Sequence, residues 1–302
     1  MSWRVVHITR IDQLSLHLNS LKVKRGDDEL KIPLSDIFSV VIEDLSCKIT
    51  SRLIIELVNH NILVMFCGPK HLPEAQLMPM SGHHGQHKRI MRQLEWDEEK
   101  KGRLWKTIIS QKIFNQSRVL DRLNVEQDRI NRLLMLASEV EDHDTKNTEA
   151  QAARLYFHSV FDDSYQRSDD SIVENAALNY GYAVVNAAVA RTISAKGLLP
   201  SVGVHHKGER NPFNLASDFI EPFRPVVDAF VMGNPPEEFL TKSYRLQLIN
   251  LLHCKVLING KMQTVIRAID IFIGSVIDYF DENWAVEKIH LPNTHKLQFH
   301  EL

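Results

Sequence analysis

The feature that most constrains this chain is a change of hydrophobic period about a quarter of the way along it. Before residue 80 apolar residues alternate or run in short β-branched blocks; from Lys88 onward they recur at helical spacing over long stretches. Leu14, Leu16 and Leu18 alternate with Ser15 and His17, the signature of a half-buried strand. Strands are predicted over Trp3–Ile8, Leu14–Val23, Glu29–Pro33 and Ile37–Ile42, with a turn at 24–28. A helix is predicted over Ser51–His60, capped by Thr50 or Ser51, and a buried strand over Ile62–Cys67. From Pro69 the composition shifts to Pro, Gly, His and Met, which marks a linker. The predicted class is α+β: a small β-rich N-terminal domain (1–75), a linker (76–87), a larger all-α domain (88–285) and a C-terminal tail (286–302) expected to be mobile. His83, His84 and His87 have no cysteine or acid beside them and read as solvated linker residues.

Composition narrows the setting more than the function. The net charge of −2 in 302 residues means that any nucleic-acid surface must be local. Residues 88–132 carry twelve Lys/Arg against seven acids, and Arg118, Arg122, Arg129 and Arg132 are candidates for one basic surface. Ion pairs within a solvated helix face, such as Glu98–Lys101, are the alternative. Residues 139–174 reverse the sign, with ten acids against three bases. Three widely spaced cysteines suit a reducing compartment and argue against a disulfide framework or a cysteine zinc site. The opening MSWRVVHITR has no signal-peptide core, and the late apolar run at 264–280 is broken by Arg267, Asp270 and Asp278. A cytoplasmic protein with no membrane contact is expected.

Candidate chemistry concentrates in residues 197–228. His205 and His206 lie in a polar loop, followed by a helical run that puts Asp218 and Glu221 on one face. Imidazole and carboxylates converging at a loop suit a hard or borderline divalent cation, with Lys207, Arg210 and Arg224 interleaved as phosphate partners. Asn211 or Asn214 is the expected cap of that run, with Pro212 at its first position; Pro222 and Pro225 should kink or end it. Upstream, residues 169–196 are expected to form the central buried helix, with Gly181 at a close packing contact and Gly197 as its C-cap. Residues 147–154 read as a capped helix start with Glu149 in the first turn. Helices are predicted over Glu238–Leu252 and Lys261–Phe280, with a hairpin-like turn at 258–260.

Four segments in order, EAQAARLYF, ENAALNYGYA, GLLPSVGVHH and NPFNLASDFIEPFRPVVD, resemble the CRISPR-associated spacer-acquisition integrases, in their type II branch. The resemblance covers nearly the whole chain. It implies a metal-dependent DNA integrase or endonuclease with Mg²⁺ or Mn²⁺ held by Glu149, His206 and Glu221, and Asp218 as ligand or support. Ala150 stands where many relatives have glycine. The implied partners are double-stranded DNA (prespacer and CRISPR leader-repeat), a second copy forming a homodimer through the N-terminal domain, and a small ferredoxin-like adaptation protein completing a heterohexamer. A type II effector nuclease and a DNA-end-binding ring protein are implied helpers. Lys207, Arg210, Arg224, Lys242 and Arg245 are candidate DNA contacts. The alternatives are a non-catalytic DNA-binding scaffold and a generic metal-dependent nuclease.

Overall fold

Six consecutive buried residues, Ile37–Ile42, form the strand around which the N-terminal unit is built. The computed structural model describes residues 4–69, 71–79, 84–161, 164–169, 171–282 and 284–299. Trp3, His83 and the last three residues of the tail, each part of an expectation above, lie outside them. The chain divides into two compact units, 1–82 and 83–302.

The first unit contains β1 (Arg4–Ile8), β2 (Gln13–His17), β3 (Ser20–Arg25), β4 (Asp28–Pro33), β5 (Ile37–Ile42), β6 (Lys48–Ile49), α1 (Ser51–Asn59), β7 (Leu63–Cys67) and β8 (Pro73–Gln76). One sheet has the order β1-β5-β7-β8 and the other β4-β3-β2-β6. The central pairs β1–β5 and β5–β7 are parallel, which explains the unbroken apolar run of β5: such strands are covered on both faces. The strand predicted over Leu14–Val23 is in fact a hairpin, β2 against β3, turning at Leu18 and Asn19. Period-2 alternation continues across a two-residue turn, so the pattern concealed the break. In β3, Leu21 and Val23 point into the core beside Leu14, Leu53, Val40 and Val64, while Lys22 and Lys24 face away. Thr50 sits at the α1 N-cap but makes no side-chain capping bond.

The second unit contains α2 (Gln86–Leu94), α3 (Glu98–Arg122), α4 (Gln127–Glu139), α5 (Thr148–Val160), α6 (Val173–Ala195), α7 (Asn214–Ile220), α8 (Arg224–Gly233), α9 (Lys242–Asn250), β9 (Lys255–Ile258), β10 (Lys261–Thr264), α10 (Val265–Asp281) and β11 (Asn293–Gln298). It is helical, as expected, and carries a three-stranded sheet in the order β10-β9-β11. Asn259 and Gly260, both at positive φ, turn β9 into β10, so the predicted helix from Lys261 begins only at Val265. The tail expected to be mobile supplies β11. Two long helices share the centre. α6 is rich in Ala, Val and Ile and packs against α7, α8, α9 and α10. α3 packs against α4, α5, α8 and β11. Gly181 of α6 lies where a Cβ would come 2.4 Å from Val227 Cγ1 of α8, so glycine sets that helix–helix distance. Among the described residues no helix is long and apolar enough to cross a membrane.

Candidate active site

The loop between α6 and α7 is held from three sides. Gly197 ends α6 at φ +80°. The wholly buried Gln93 of α2 donates to the Leu199 and Val202 carbonyls at 3.0 and 2.9 Å and accepts from Leu199 N at 2.8 Å. Asn214 donates to the Ser201 and Gly208 carbonyls and accepts from Gly208 N. Asparagine 214 therefore shapes the loop and does not cap α7; Pro212 precedes the helix, whose N-cap position falls at Phe213. The run carrying the acids is broken as the prolines require: α7 stops at Ile220, a 3₁₀ turn covers Glu221–Phe223, and α8 starts at Arg224.

Asp218, 0% exposed, organises the histidine pair. Its Oδ2 accepts from the backbone N–H of Val204 (2.6 Å) and His205 (3.0 Å). Its Oδ1 accepts from His206 N (3.0 Å) and faces His206 Nδ1 at 2.6 Å. A carboxylate surrounded by N–H donors is an acceptor, so Nδ1 carries the proton and Nε2 is left as the basic nitrogen. The bond to Asp218 raises the His206 pKa. Gly203 permits this wrap: a Cβ there would lie 2.3 Å from the His206 carbonyl oxygen and 2.9 Å from Asp218 Oδ2. His205 instead stacks flat on Trp105 of α3, ring centroids 4.2 Å apart, and burial lowers its pKa.

Glu149 comes from the first turn of α5. Three residues ahead of the helix, His143, Asp144 and Asn147, take positive φ, bringing the Asp144 carboxylate onto the helix end. It accepts from Thr148 N (2.8 Å) and Glu149 N (3.0 Å). The cap expected at this helix start thus comes from Asp144, outside the 147–154 segment, and satisfies two orphan amides.

Glu149 and Glu221 meet at one cation, the ammonium of Lys112. Lys112 Nζ lies 2.5 Å from Glu149 Oε1 and 2.5 Å from Glu221 Oε2. Burial opposes the charged amine, but Glu221 and Glu149 outweigh it and raise the Lys112 pKa. Burial likewise opposes the Glu221 carboxylate; Arg224, with Nε 2.9 Å from Oε1, and Lys112 prevail and lower its pKa. Glu221 Oε2 is buried with no hydrogen bond of good geometry, although the ammonium touches it. Lys112 escaped the sequence reading. Its signal was register: Trp105, Ile108, Ile109, Lys112 and Gln116 fall on one helical stripe, and all are buried.

The expected ligands are therefore only partly gathered. Glu149 and Glu221 converge directly, and His206 feels the charge of both. Among the described residues, however, no three His, Cys, Asp or Glu side chains stand close enough together to hold a metal ion. The donor chemistry does fit Mg²⁺ or Mn²⁺: two carboxylates already focused on a positive charge, one oxygen lacking a hydrogen bond, and an imidazole nitrogen freed by a carboxylate behind it. Of the candidate DNA contacts, Lys207 and Arg210 are exposed in the loop, Lys207 being 3.6 Å from Glu98. Arg224 is engaged with Glu221 and lies over the Tyr182 ring, and Lys242 is exposed. Arg245 is 8% exposed and donates to the Leu240 carbonyl, so its place is inside the fold and not on the surface. Three of the four candidate arginines of the basic surface have partners within the fold: Arg122 lies over Phe299, Arg118 over Phe114, and Arg129 donates to the His158 carbonyl.

Proteins of known structure share this fold. A casposase bound to its integration product superposes with a TM-score of 0.76 at 20% identity, covering 100% of this chain and 95% of that one. A Cas6-RT-Cas1–Cas2 complex gives 0.70 at 17% identity, covering 95% of this chain and 36% of that one. The sequence matches the profile of CRISPR associated protein Cas1 over residues 6–243, and the chain belongs to that family. It is 40% identical over 280 residues to the CRISPR-associated endonuclease Cas1 of Neisseria meningitidis serogroup C (strain 8013), covering 91% of each chain.

Proposed function

We propose that this protein is a divalent-metal-dependent DNA integrase that inserts prespacer DNA into a CRISPR array. The observation that carries the reading is the convergence of Glu149 and Glu221, far apart in sequence, on one buried positive charge, with both carboxylates near enough for the Asp218-held His206 to feel their charge. Glu149, Glu221 and the Nε2 of His206 would hold Mg²⁺ or Mn²⁺. The bound ion would supply Lewis-acid stabilisation of charge on the scissile phosphate.

In the reaction a DNA 3′-hydroxyl attacks the target phosphorus; a new P–O bond forms, the P–O3′ bond of the target strand breaks, and the hydroxyl proton ends on the leaving oxygen or in solvent. No enzyme nucleophile is consumed. The chain's own part is positioning: Asp218 fixes the imidazole, Asp144 fixes the start of α5, and exposed Lys207, Arg210 and Lys242 supply positive charge for a phosphate backbone. The Cas1–Cas2 and integration-product neighbours support DNA and a second adaptation protein as partners. A homodimer formed through the N-terminal unit is part of the proposal. A heterohexamer with a small ferredoxin-like protein, aided by a type II effector nuclease and a DNA-end-binding ring protein, completes the proposal.

The test is a strand-transfer assay in Mn²⁺ that separates joined from merely cut DNA. Glu149→Ala, His206→Ala and Glu221→Ala should each abolish joining while DNA binding persists. Full joining in all three variants would remove the site; cutting without joining by the unaltered protein would make it a nuclease instead. Binding with no metal-dependent chemistry would make it a scaffold.

A further inference from the structure

Lys112 is given no part in the chemistry above, yet it lies between the two carboxylates of the site. Its side chain is 8% exposed, and its ammonium contacts carboxylates from two different elements, the first turn of α5 and the 3₁₀ turn after α7. Two carboxylates converging on one place, Glu221 buried and Glu149 half-buried, repel unless a cation lies between them. The oxygens that meet Lys112 belong to the two proposed ligands, and an ammonium and a divalent cation cannot share one point.

The geometry points to Lys112 as a built-in counter-cation: we infer that it holds Glu149 and Glu221 together in the metal-free protein and must swing aside when a divalent ion binds, so that the two cations compete for one position. The movement belongs to the side chain. Asn115, one turn on, donates to the Pro222 carbonyl at 3.0 Å and the Pro292 carbonyl at 2.9 Å, which ties α3 to the Glu221 turn and to the chain entering β11. A four-carbon stem carrying a compact charge can leave without shifting that helix. Lys112 thereby keeps the ligands preorganised at the expense of metal affinity.

This inference rests on Glu149 and Glu221 being the ion's ligands, and the experiment separates the two. Mn²⁺ binding to the full chain is followed by loss of the free-ion EPR signal, with thermal melts in EDTA and in Mn²⁺. Lys112→Met and Lys112→Gln should each bind Mn²⁺ about tenfold or more tightly than the unaltered protein. Both should melt lower than it in EDTA and gain more from Mn²⁺. A variant that folds only with Mn²⁺ supports the inference, since the ion then replaces the ammonium. Affinity equal to or weaker than that of the unaltered protein, or failure to fold under both conditions, overturns it. If Glu149→Ala binds Mn²⁺ as well as the unaltered protein, the ligand assignment itself falls. If Glu149→Ala loses Mn²⁺ while Lys112→Met gains nothing, the assignment stands and only the displacement fails.

Discussion

His206 donates from Nδ1 to Oδ1 of the fully buried Asp218 across 2.6 Å, and the same carboxylate collects the backbone amides of Val204, His205 and His206. One side chain thus sets both the path of the loop and the tautomer of its imidazole. Asp218→Asn replaces one acceptor oxygen with a donor that faces N–H groups. Strand transfer and Mn²⁺ affinity should fall about 10–100-fold, as when the hydrogen-bonding support of a ligating histidine is removed. Parallel assays of joining and of Mn²⁺ binding check this; joining within twofold of normal would show that Asp218 does not position His206.

Gly203 should tolerate no side chain. In Gly203→Ala the new Cβ meets the His206 carbonyl oxygen and Asp218 Oδ2, and a backbone oxygen cannot rotate away. The loop must shift, with a loss of about 1–3 kcal/mol of stability and most of the joining activity, because the imidazole moves with it. Urea denaturation and the strand-transfer assay read the two effects separately.

Gly181→Ala sets two terms against each other. Alanine favours the helix by about 1 kcal/mol, but its Cβ strikes Val227 Cγ1, a branched side chain with little freedom in α8. Overpacking of this kind costs about 1–3 kcal/mol, so the single variant should be less stable. Gly181→Ala with Val227→Ala should recover part of that loss. A double variant no more stable than predicted from the sum of the singles would place the cost elsewhere.

Asp228, 1% exposed, gives the protein a pH-dependent component of stability. Burial raises its pKa to about 6, although the hydroxyls of Tyr182 and Tyr156 oppose the shift. An acid raised in the folded state contributes stability that is present below the unfolded value, near 4, and is lost as pH climbs through about 6. The loss amounts to ~3 kcal/mol. Asp228→Asn does not titrate, so its stability relative to the unaltered protein should climb by about that much between pH 4 and 7. Urea denaturation across that range tests the sign; a difference that stays flat with pH would show that Asp228 titrates normally.

Local chemistry was enough to read several parts of this protein. The buried run 37–42, the prolines that break α7 from α8, the Asn259–Gly260 turn and the glycine at the end of α6 are each dictated by neighbours within a few residues. Period alone separated the β-rich start from the helical remainder. The same locality produced the errors: alternation ran on through the hairpin turn at Leu18, and β11 looked shapeless because its partner strand lies some 40 positions upstream, as β9 at Lys255–Ile258.

The sequence by itself determined the division into a β-rich start and a helical remainder, most of the helices and, through its four family segments, which acids and histidine to suspect. Tertiary structure alone decided what those groups face. That Lys112 lies between Glu149 and Glu221, that Asp144 caps α5, and that Arg245 is buried all depend on elements packing across long separations. A side chain's charge is written in the chain, but the field that fixes its partner and its protonation comes from residues that only folding brings within a few ångströms.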